Sequence, residues 1–457
     1  MIRFTTGGFR GIIGKDFIPK NIVKIASGIY KYITLKQYKS EVSLSYDFRA
    51  YSEESANLIA EVLSAAGIKV YLSDDATPTP VAMYMARYLK IQIGIMITAS
   101  HNPYNWNGVK LFEKGVDASE ETTNILEQLI NEPDQLKQRN SKDVIKIDFL
   151  TPYVDFVKKF IDIEPYPKQK ILIDFIHGTG VKTIPCFKRY YHLDNLDFIR
   201  DVQTPNFNYI LPNPLDNVIG VNRNLQVEKG YELIMGLDSD ADRLGIIDEN
   251  GKFVDNNEIL AVIYYYLVKY KNLSGDIVKN IATSNLIDAV AKKLNFKAHT
   301  VDVGFKNISA AMVQHDALIG GESSGGLTIR DYIQGKDSTF SALMMIEIIT
   351  KLNQPLSHIV KTVRTFANFF RYTLEAEMVY NNHEKIIEYI EDIKRIPIDI
   401  KEVRQYKSNY KFILEDDEWI LLRFSGTEPL LRIFVETSDS AKSEVIIQSF
   451  KNILKGL

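Results

Sequence analysis

Cysteine is nearly missing from this chain of 457 residues, in which Cys186 is the only one. One thiol closes no intramolecular disulfide and builds no Cys-rich zinc site, which fits a reducing compartment. A basic excess is missing too. Lys and Arg number 55 against 58 Asp and Glu, a formal charge of −3, so no broad attraction to nucleic acid or to an acidic membrane surface is expected. Tryptophan is scarce, at 2 against 25 Tyr and 23 Phe. With no basic stripe beside them, these aromatics read as packing residues and not as a platform for stacked bases. No apolar run reaches the roughly 20 residues of a membrane span. The longest, at 259–268, has acidic residues before it (Asp255, Glu258) and basic ones after it (Lys269, Lys271), an arrangement that suits a helix dipole. The first ten residues hold no apolar stretch of the secretory kind, so a cytoplasmic protein is expected, with no membrane partner.

What is present reads as globular, with 45% hydrophobic and 25% charged residues and length for about three domains of ordinary size. Strand and helix signals alternate. Residues 42–46 form a strand-like run, Ser52 is a plausible N-cap for a helix over 53–66, and Gly67 closes it before a strand at 68–72. A helix around 80–89 leads into the near-continuous apolar run 91–98, typical of a parallel strand buried on both faces. Strands at 170–175, 231–236 and 280–282, with a helix at 285–294, continue the pattern. This predicts doubly wound α/β units in series. The polar segment 131–143 reads as a loop before a linking helix at 152–163, with boundaries near 149 and 255. The end of the chain differs: strands at 410–414, 419–424 and 430–436 and a helix over 440–454 make an antiparallel α+β module.

Five loops carry chemistry. Residues 7–14, Gly-Gly-Phe-Arg-Gly-Ile-Ile-Gly, offer backbone N–H groups and the fork of Arg10 to an anion, or else form a mobile turn. Their spacing is not that of a dinucleotide fingerprint. Residues 98–103, Thr-Ala-Ser-His-Asn-Pro, leave the C-terminal end of a buried strand, where open α/β sheets bind ligands. A turn at 107–110 is expected to bring Lys110 back toward Ser100 and His101. A serine so flanked can exchange a phosphoryl group, whereas an esterase elbow is absent. In residues 236–245, Asp238, Asp240 and Asp242 alternate, and three carboxylates together call for a hard cation, Mg²⁺ or Ca²⁺. An EF-hand is excluded, since Arg243 takes its glycine position and strand-like residues flank the loop. Residues 320–326 set Glu322, Ser323 and Ser324 among glycines, suited to sugar hydroxyls or to a linker. Gly335-Lys336-Asp337-Ser338 is not a Walker loop. Finally, residues 423–429 with Arg432 beyond suit a dianionic phosphate, a solvated hairpin turn being the alternative.

In this order the loops closely resemble the α-D-phosphohexomutase superfamily, which includes phosphoglucomutases and phosphomannomutases. The resemblance spans the chain, and residues 98–103 and 238–243 carry most of it. It implies four domains around a central cleft, three doubly wound α/β domains and a C-terminal α+β domain, over 1–148, 149–254, 255–365 and 366–457. It implies transfer of phosphate between C1 and C6 of a hexose through a bisphosphorylated sugar, with hexose 1,6-bisphosphate as activator. Ser100 would be the phosphoserine and, with Asp238, Asp240 and Asp242, would hold Mg²⁺. Arg10, His101 and Lys110 would stabilise charge and handle protons. Arg243, Lys306, Glu322 and Ser324 would bind the sugar phosphate, and Arg423, Ser425, Gly426, Thr427 and Arg432 its nonreacting phosphate. Thr5 stands where many members have glycine. Ser323 and Gly326 depart from the Glu-Gln-Ser-Gly-His form of phosphoglucosamine mutases, which favours glucose or mannose phosphate. A phosphoglucosamine or phosphopentose mutase, a sugar-bisphosphate synthase and a silent sugar-phosphate binder are the alternatives. The partner expected is a small sugar phosphate, and the assembly a monomer or homodimer.

Overall fold

The structure is a computed structural model and describes residues 2, 4–5, 8–132, 143–164, 168–392, 398–424 and 429–455. Four sheets follow one another along the chain. In the first, the parallel strands Lys69–Ser73, Glu41–Tyr46 and Ile93–Ile97 lie side by side, flanked by Val144–Ile147 at one edge and by the antiparallel Trp106–Glu113 and Gly8–Ile12 on the other side. The second sheet has Leu196–Ile199, Ile171–Asp174 and Leu233–Leu237 in parallel, then Leu244–Ile247 antiparallel. The third repeats that plan with Ala298–Val301, Ile277–Asn280, Ile319–Gly321 and the antiparallel Leu327–Ile329. Each of these sheets therefore ends its parallel part in an antiparallel hairpin. The fourth, from Tyr372–Val379 to Leu430–Thr437, is antiparallel throughout.

The core explains the grouping. One apolar cluster runs from the helix Thr79–Tyr88 through Leu150–Val157 and Asn256–Lys269 to Ser338–Leu352, so the first three sheets share an interior. The helix Asn256–Lys269 buries most of its circumference and starts from a capping box of Asp255 and Glu258. The fourth sheet has its own core with the helix Ser440–Lys455. It docks on the third through a small apolar cluster of Ile281, Ala282, Trp419, Leu421 and Phe434 and through polar side chains. Glu436, wholly buried, accepts bonds from Ser284 Oγ, Asn285 N (3.2 Å), Thr373 Oγ1 (3.1 Å) and Trp419 Nε1 (2.7 Å). Lys411 Nζ donates to Ile281 O at 2.8 Å and lies 3.8 Å from the Trp419 ring centre.

Some local expectations are corrected. Residues 107–110 are not a turn but part of the strand Trp106–Glu113. Ser52 opens the helix Ser52–Ala65 without capping it; its hydroxyl donates to Asp47 Oδ1 (2.7 Å) instead. The linking helix is Leu150–Val157, shorter than 152–163, and the strand expected at 280–282 is Ile277–Asn280. No helix among the described residues is long and apolar enough to cross a membrane.

Candidate active site

The strand Ile93–Ile97 is buried along its whole length, and the chain leaves its C-terminal end through Thr98. Thr98 Oγ1 donates to Asp47 Oδ2 (2.7 Å) and accepts from Ser100 N (2.8 Å). Ser100 is 2% exposed and takes a left-handed backbone, φ +49°, which costs a non-glycine residue about 1 kcal/mol. Its Oγ lies 3.3 Å from His101 Nδ1 and donates to Asp238 Oδ2 at 3.2 Å. The serine of the first sheet thus meets the acidic loop of the second.

That loop joins the paired strands Leu233–Leu237 and Leu244–Ile247 and buries three carboxylates whose oxygens lie within 4.8 Å of one another. Asp238 Oδ1 accepts from the backbone N–H of Asp242 (2.8 Å) and Arg243 (2.9 Å). Thr79, at the start of its helix, donates to Asp240 Oδ2 at 2.6 Å. Asp240 Oδ1 and Asp242 Oδ1 are buried with no hydrogen-bond partner. Buried carboxylate oxygens left bare in this way fit a divalent cation, and all-oxygen donors select a hard one such as Mg²⁺. Charge stress points the same way. Burial and the charges of Asp242 and Asp240 hold the Asp238 carboxyl well above the usual range. On Asp242, burial is outweighed by Lys336, Lys110 and Arg243, and its carboxyl is held down. Gly178 lets the second unit's own turn abut the loop, since a Cβ there would meet Asp238 O and Ser239 Cα at 2.8 Å.

The cations sit on strands. Arg10, on Gly8–Ile12, contacts Asn102 Oδ1, and Lys110 is paired in register with Met96. Lys110 Nζ is 3.4 Å from Asp117 and 3.7 Å from Asp242. Burial opposes its charge, but Asp117, Asp242 and Asp240 prevail, so the ammonium is retained. His101 is the reverse case. Burial first, then Arg243, Arg10, Lys336 and Arg432, push it well below the ordinary imidazole value and keep it neutral.

Glu322 and Ser324 occupy the turn between Ile319–Gly321 and Leu327–Ile329. Ser324 Oγ donates to Glu322 Oε1 (2.6 Å), and Asn280 holds Glu322 Oε2 at 3.2 Å. Arg423 and Arg432 stand directly opposite on paired strands. Like charges so placed repel unless an anion lies between or beside them. Glu377 takes Arg432 at 2.7 Å, and burial lowers the Arg423 pKa. Arg243 lies 3.8 Å from Asp242. Lys306 is the second residue of the helix Phe305–His315 and acts on Glu120; among the described residues it makes no bond to the Ser100 cluster. Ser425, Gly426 and Thr427 lie outside the described residues.

Sequence reasoning missed Lys336, which pairs with Asp242 Oδ2 at 3.0 Å while its stem covers Gly326, where a Cβ would meet Lys336 Cδ at 2.2 Å. It also missed Thr79 and Arg49. The signal for Arg49 was legible: a charged Asp-x-Arg directly after a buried strand, at the ligand-binding end of the sheet.

Four family models match the chain in series. They are the phosphoglucomutase/phosphomannomutase alpha/beta/alpha domains I (residues 1–137), II (151–251) and III (255–366) and the C-terminal domain (384–452). The chain belongs to the α-D-phosphohexomutase superfamily. Among its relatives are a phosphoglucomutase/phosphomannomutase of Thermococcus kodakarensis, 28% identical over 99% of both chains, and a phosphoglucosamine mutase of Alkaliphilus oremlandii, 26% identical over 99% of this chain and 98% of that one. A phosphoglucomutase/phosphomannomutase family protein of Burkholderia thailandensis shares the fold, with a TM-score of 0.82 at 21% identity over 100% of this chain and 98% of that one. An Aspergillus fumigatus N-acetylphosphoglucosamine mutase, solved with GlcNAc-6P and magnesium, matches at 0.64 and 13% identity, covering 100% and 96%. This phosphohexomutase is accordingly an isomerase, an intramolecular phosphotransferase of the phosphoglucomutase/phosphomannomutase type.

Proposed function

We propose that this enzyme interconverts hexose 1-phosphate and hexose 6-phosphate, with glucose and mannose as the sugars, through a phosphorylated Ser100 and a bisphosphorylated intermediate. The observation that carries the reading is the approach of Ser100 Oγ to a buried aspartate triad with two bare oxygens. Asp238, Asp240, Asp242 and an oxygen of the Ser100 phosphate are the groups that would hold Mg²⁺. When bound, the ion supplies charge neutralisation on the phosphoryl group.

The residues of the chain do the rest. Transfer breaks the bond from phosphorus to Ser100 Oγ and makes one from phosphorus to the free sugar hydroxyl. The sugar hydroxyl gives up its proton and the departing Ser100 Oγ takes one up, an exchange handled by the groups around the serine, Arg10, His101 and Lys110. Lys110 and Arg10, carried on rigid strands, face the charge that shifts during transfer. Glu322, Ser324, Lys306 and Arg243 bind the sugar phosphate. Arg423 and Arg432, with Ser425, Gly426 and Thr427, anchor the phosphate that does not react. The bisphosphate then turns, and Ser100 Oγ takes its other phosphoryl group by the same moves reversed, which is why hexose 1,6-bisphosphate serves as activator. On the same reading the domains are 1–148, 149–254, 255–365 and 366–457.

Ser323 and Gly326 support a neutral sugar, while relatives named phosphoglucosamine mutase keep that sugar in the test. Glucose, mannose and glucosamine 1-phosphates are assayed with Mg²⁺ and bisphosphate, and the intact mass is read before and after phosphatase. Turnover of the first two and one phosphate on Ser100 are expected. No turnover of any, with Ser100 unmodified, overturns the reading.

A further inference from the structure

Arg49 follows the strand Glu41–Tyr46 by three residues and is 3% exposed. A buried guanidinium is a costly group, and here its hydrogen bonds converge on one loop. Nη2 donates to Ser100 O and to Asn102 O (2.6 Å), and Nη1 to Pro103 O (2.8 Å) and Trp106 O (3.0 Å). Nη2 also reaches Ser239 Oγ at 3.4 Å, and that hydroxyl itself donates to Ser100 O at 2.5 Å. The Phe207 ring, from the second domain, covers the guanidinium 4.9 Å away. Asp47 completes the arrangement. Its Oδ2 lies 3.5 Å from Arg49 Nε and receives Thr98 Oγ1, which in turn receives Ser100 N. The Asp47–Arg49 pair therefore grips Ser100 by both its N–H and its carbonyl. Between those two grips lies the left-handed φ of +49° that aims Oγ at Asp238.

We propose that Arg49 is a positioning residue for phosphoryl transfer, clamping the carbonyls of the 100–106 loop and bolting that loop to Ser239 of the aspartate loop. This goes beyond the proposed function and rests on its assignment of Ser100 as phosphoryl carrier. Arg49 touches no reacting atom. It acts by keeping the strained Ser100 backbone from relaxing, and with it the alignment of Oγ against the acidic loop. A lysine at this position offers one compact charge to an array of carbonyls that a planar fork spans. Among the described residues, neither Arg243, Lys306, Glu322 and Ser324 nor Arg423 and Arg432 hydrogen-bond the clamp, so its loss falls on the chemical step and spares substrate binding.

The test compares wild type, R49A and R49K as full-length enzymes. The measurements are steady-state kinetics, the rate at which phosphorylated enzyme passes its phosphate to glucose 1-phosphate, and thermal melting. In R49A both kcat and the single-turnover rate are expected to fall roughly 100-fold, the loss typical of a misplaced reacting group. KM stays within about threefold, because uniform binding is untouched. Added guanidinium ion restores R49A activity saturably, which a merely structural defect does not allow. R49K fills the same buried space, so it melts near wild type yet stays more than about tenfold slow. An R49A of unchanged kcat, an R49A that no guanidinium rescues, or an R49K equal to wild type overturns the inference while wild-type turnover stands. A wild type that turns over no sugar phosphate overturns the proposed function and this inference with it.

Discussion

The loop at 238–242 buries three carboxylates and leaves Asp240 Oδ1 and Asp242 Oδ1 without a hydrogen-bond partner. The junction of the third and fourth domains also buries a carboxylate, Glu436, and surrounds it with Ser284, Asn285, Thr373 and Trp419 as donors. Both sites carry the desolvation cost of a buried charge. At the junction the protein's own donors meet that cost, and the outcome is a fixed interface. At the loop part of it is left unmet, and the outcome is an affinity for something the chain does not contain. Between these two places, the bare buried oxygens mark a site for a ligand and the satisfied ones mark architecture.

Removing charge at each site breaks the comparison in opposite directions. Asp238→Asn lowers kcat by about 1000-fold, as the loss of preorganised charge in a transfer site does, yet differential scanning calorimetry finds melting no lower than wild type, because the carboxylate that burial and its two acidic neighbours disfavour has gone. Glu436→Ala does the reverse. It destabilises by about 3 kcal/mol through stranded buried donors, read in the same instrument, while kcat of the folded fraction changes little. An Asp238→Asn as destabilised as Glu436→Ala would erase the distinction.

Metal removal sharpens it. Saturating Mg²⁺ at about 100 times its dissociation constant stabilises wild type by about 2.7 kcal/mol relative to EDTA. Asp240→Asn, titrated in parallel, shows little of that gain, and Glu436→Ala shows all of it. The smallest effect belongs to Lys411 beside Glu436. Burial first, then Lys279, lowers its pKa to about 7, against the pull of Glu436. Between about 7 and the ordinary lysine value the unfolded chain binds a proton that the fold does not, so stability rises with pH through that window. The rise is about 1 kcal/mol from pH 7 to 8, and Lys411→Met flattens it in melts run across that range.

How much of this the sequence disclosed depended on how local the chemistry is. Thr98 to Pro103 and Asp238 to Arg243 are short loops in which neighbours in sequence are partners in space, and both were legible along with the strands that lead into them. Asn107-Gly108 misled, since that pair is a strong turn signal. Its glycine instead serves a close strand crossing, where a Cβ would meet Phe9 O at 2.3 Å and Thr98 O at 2.7 Å. Lys336 was seen only as a failed nucleotide loop, because its partner Asp242 lies 94 positions earlier in the chain. The docking of Glu436 was equally hidden, as nothing in a strand of alternating residues tells which buried donors a distant helix start will supply.

The cations nearest Asp242 come from positions 110, 243 and 336, and Arg49 must find Ser239 across 190 positions. During synthesis the acidic loop therefore emerges well before Lys336. Long-range closures of this kind form late and slowly. A nascent chain halted short of residue 336 has both sheets that flank the serine and still lacks the ion pair that steadies Asp242. Activity in this enzyme is thus a report on the completion of folding, more sensitive than secondary structure, and in a refolding experiment it first appears no earlier than the arrival of the third domain.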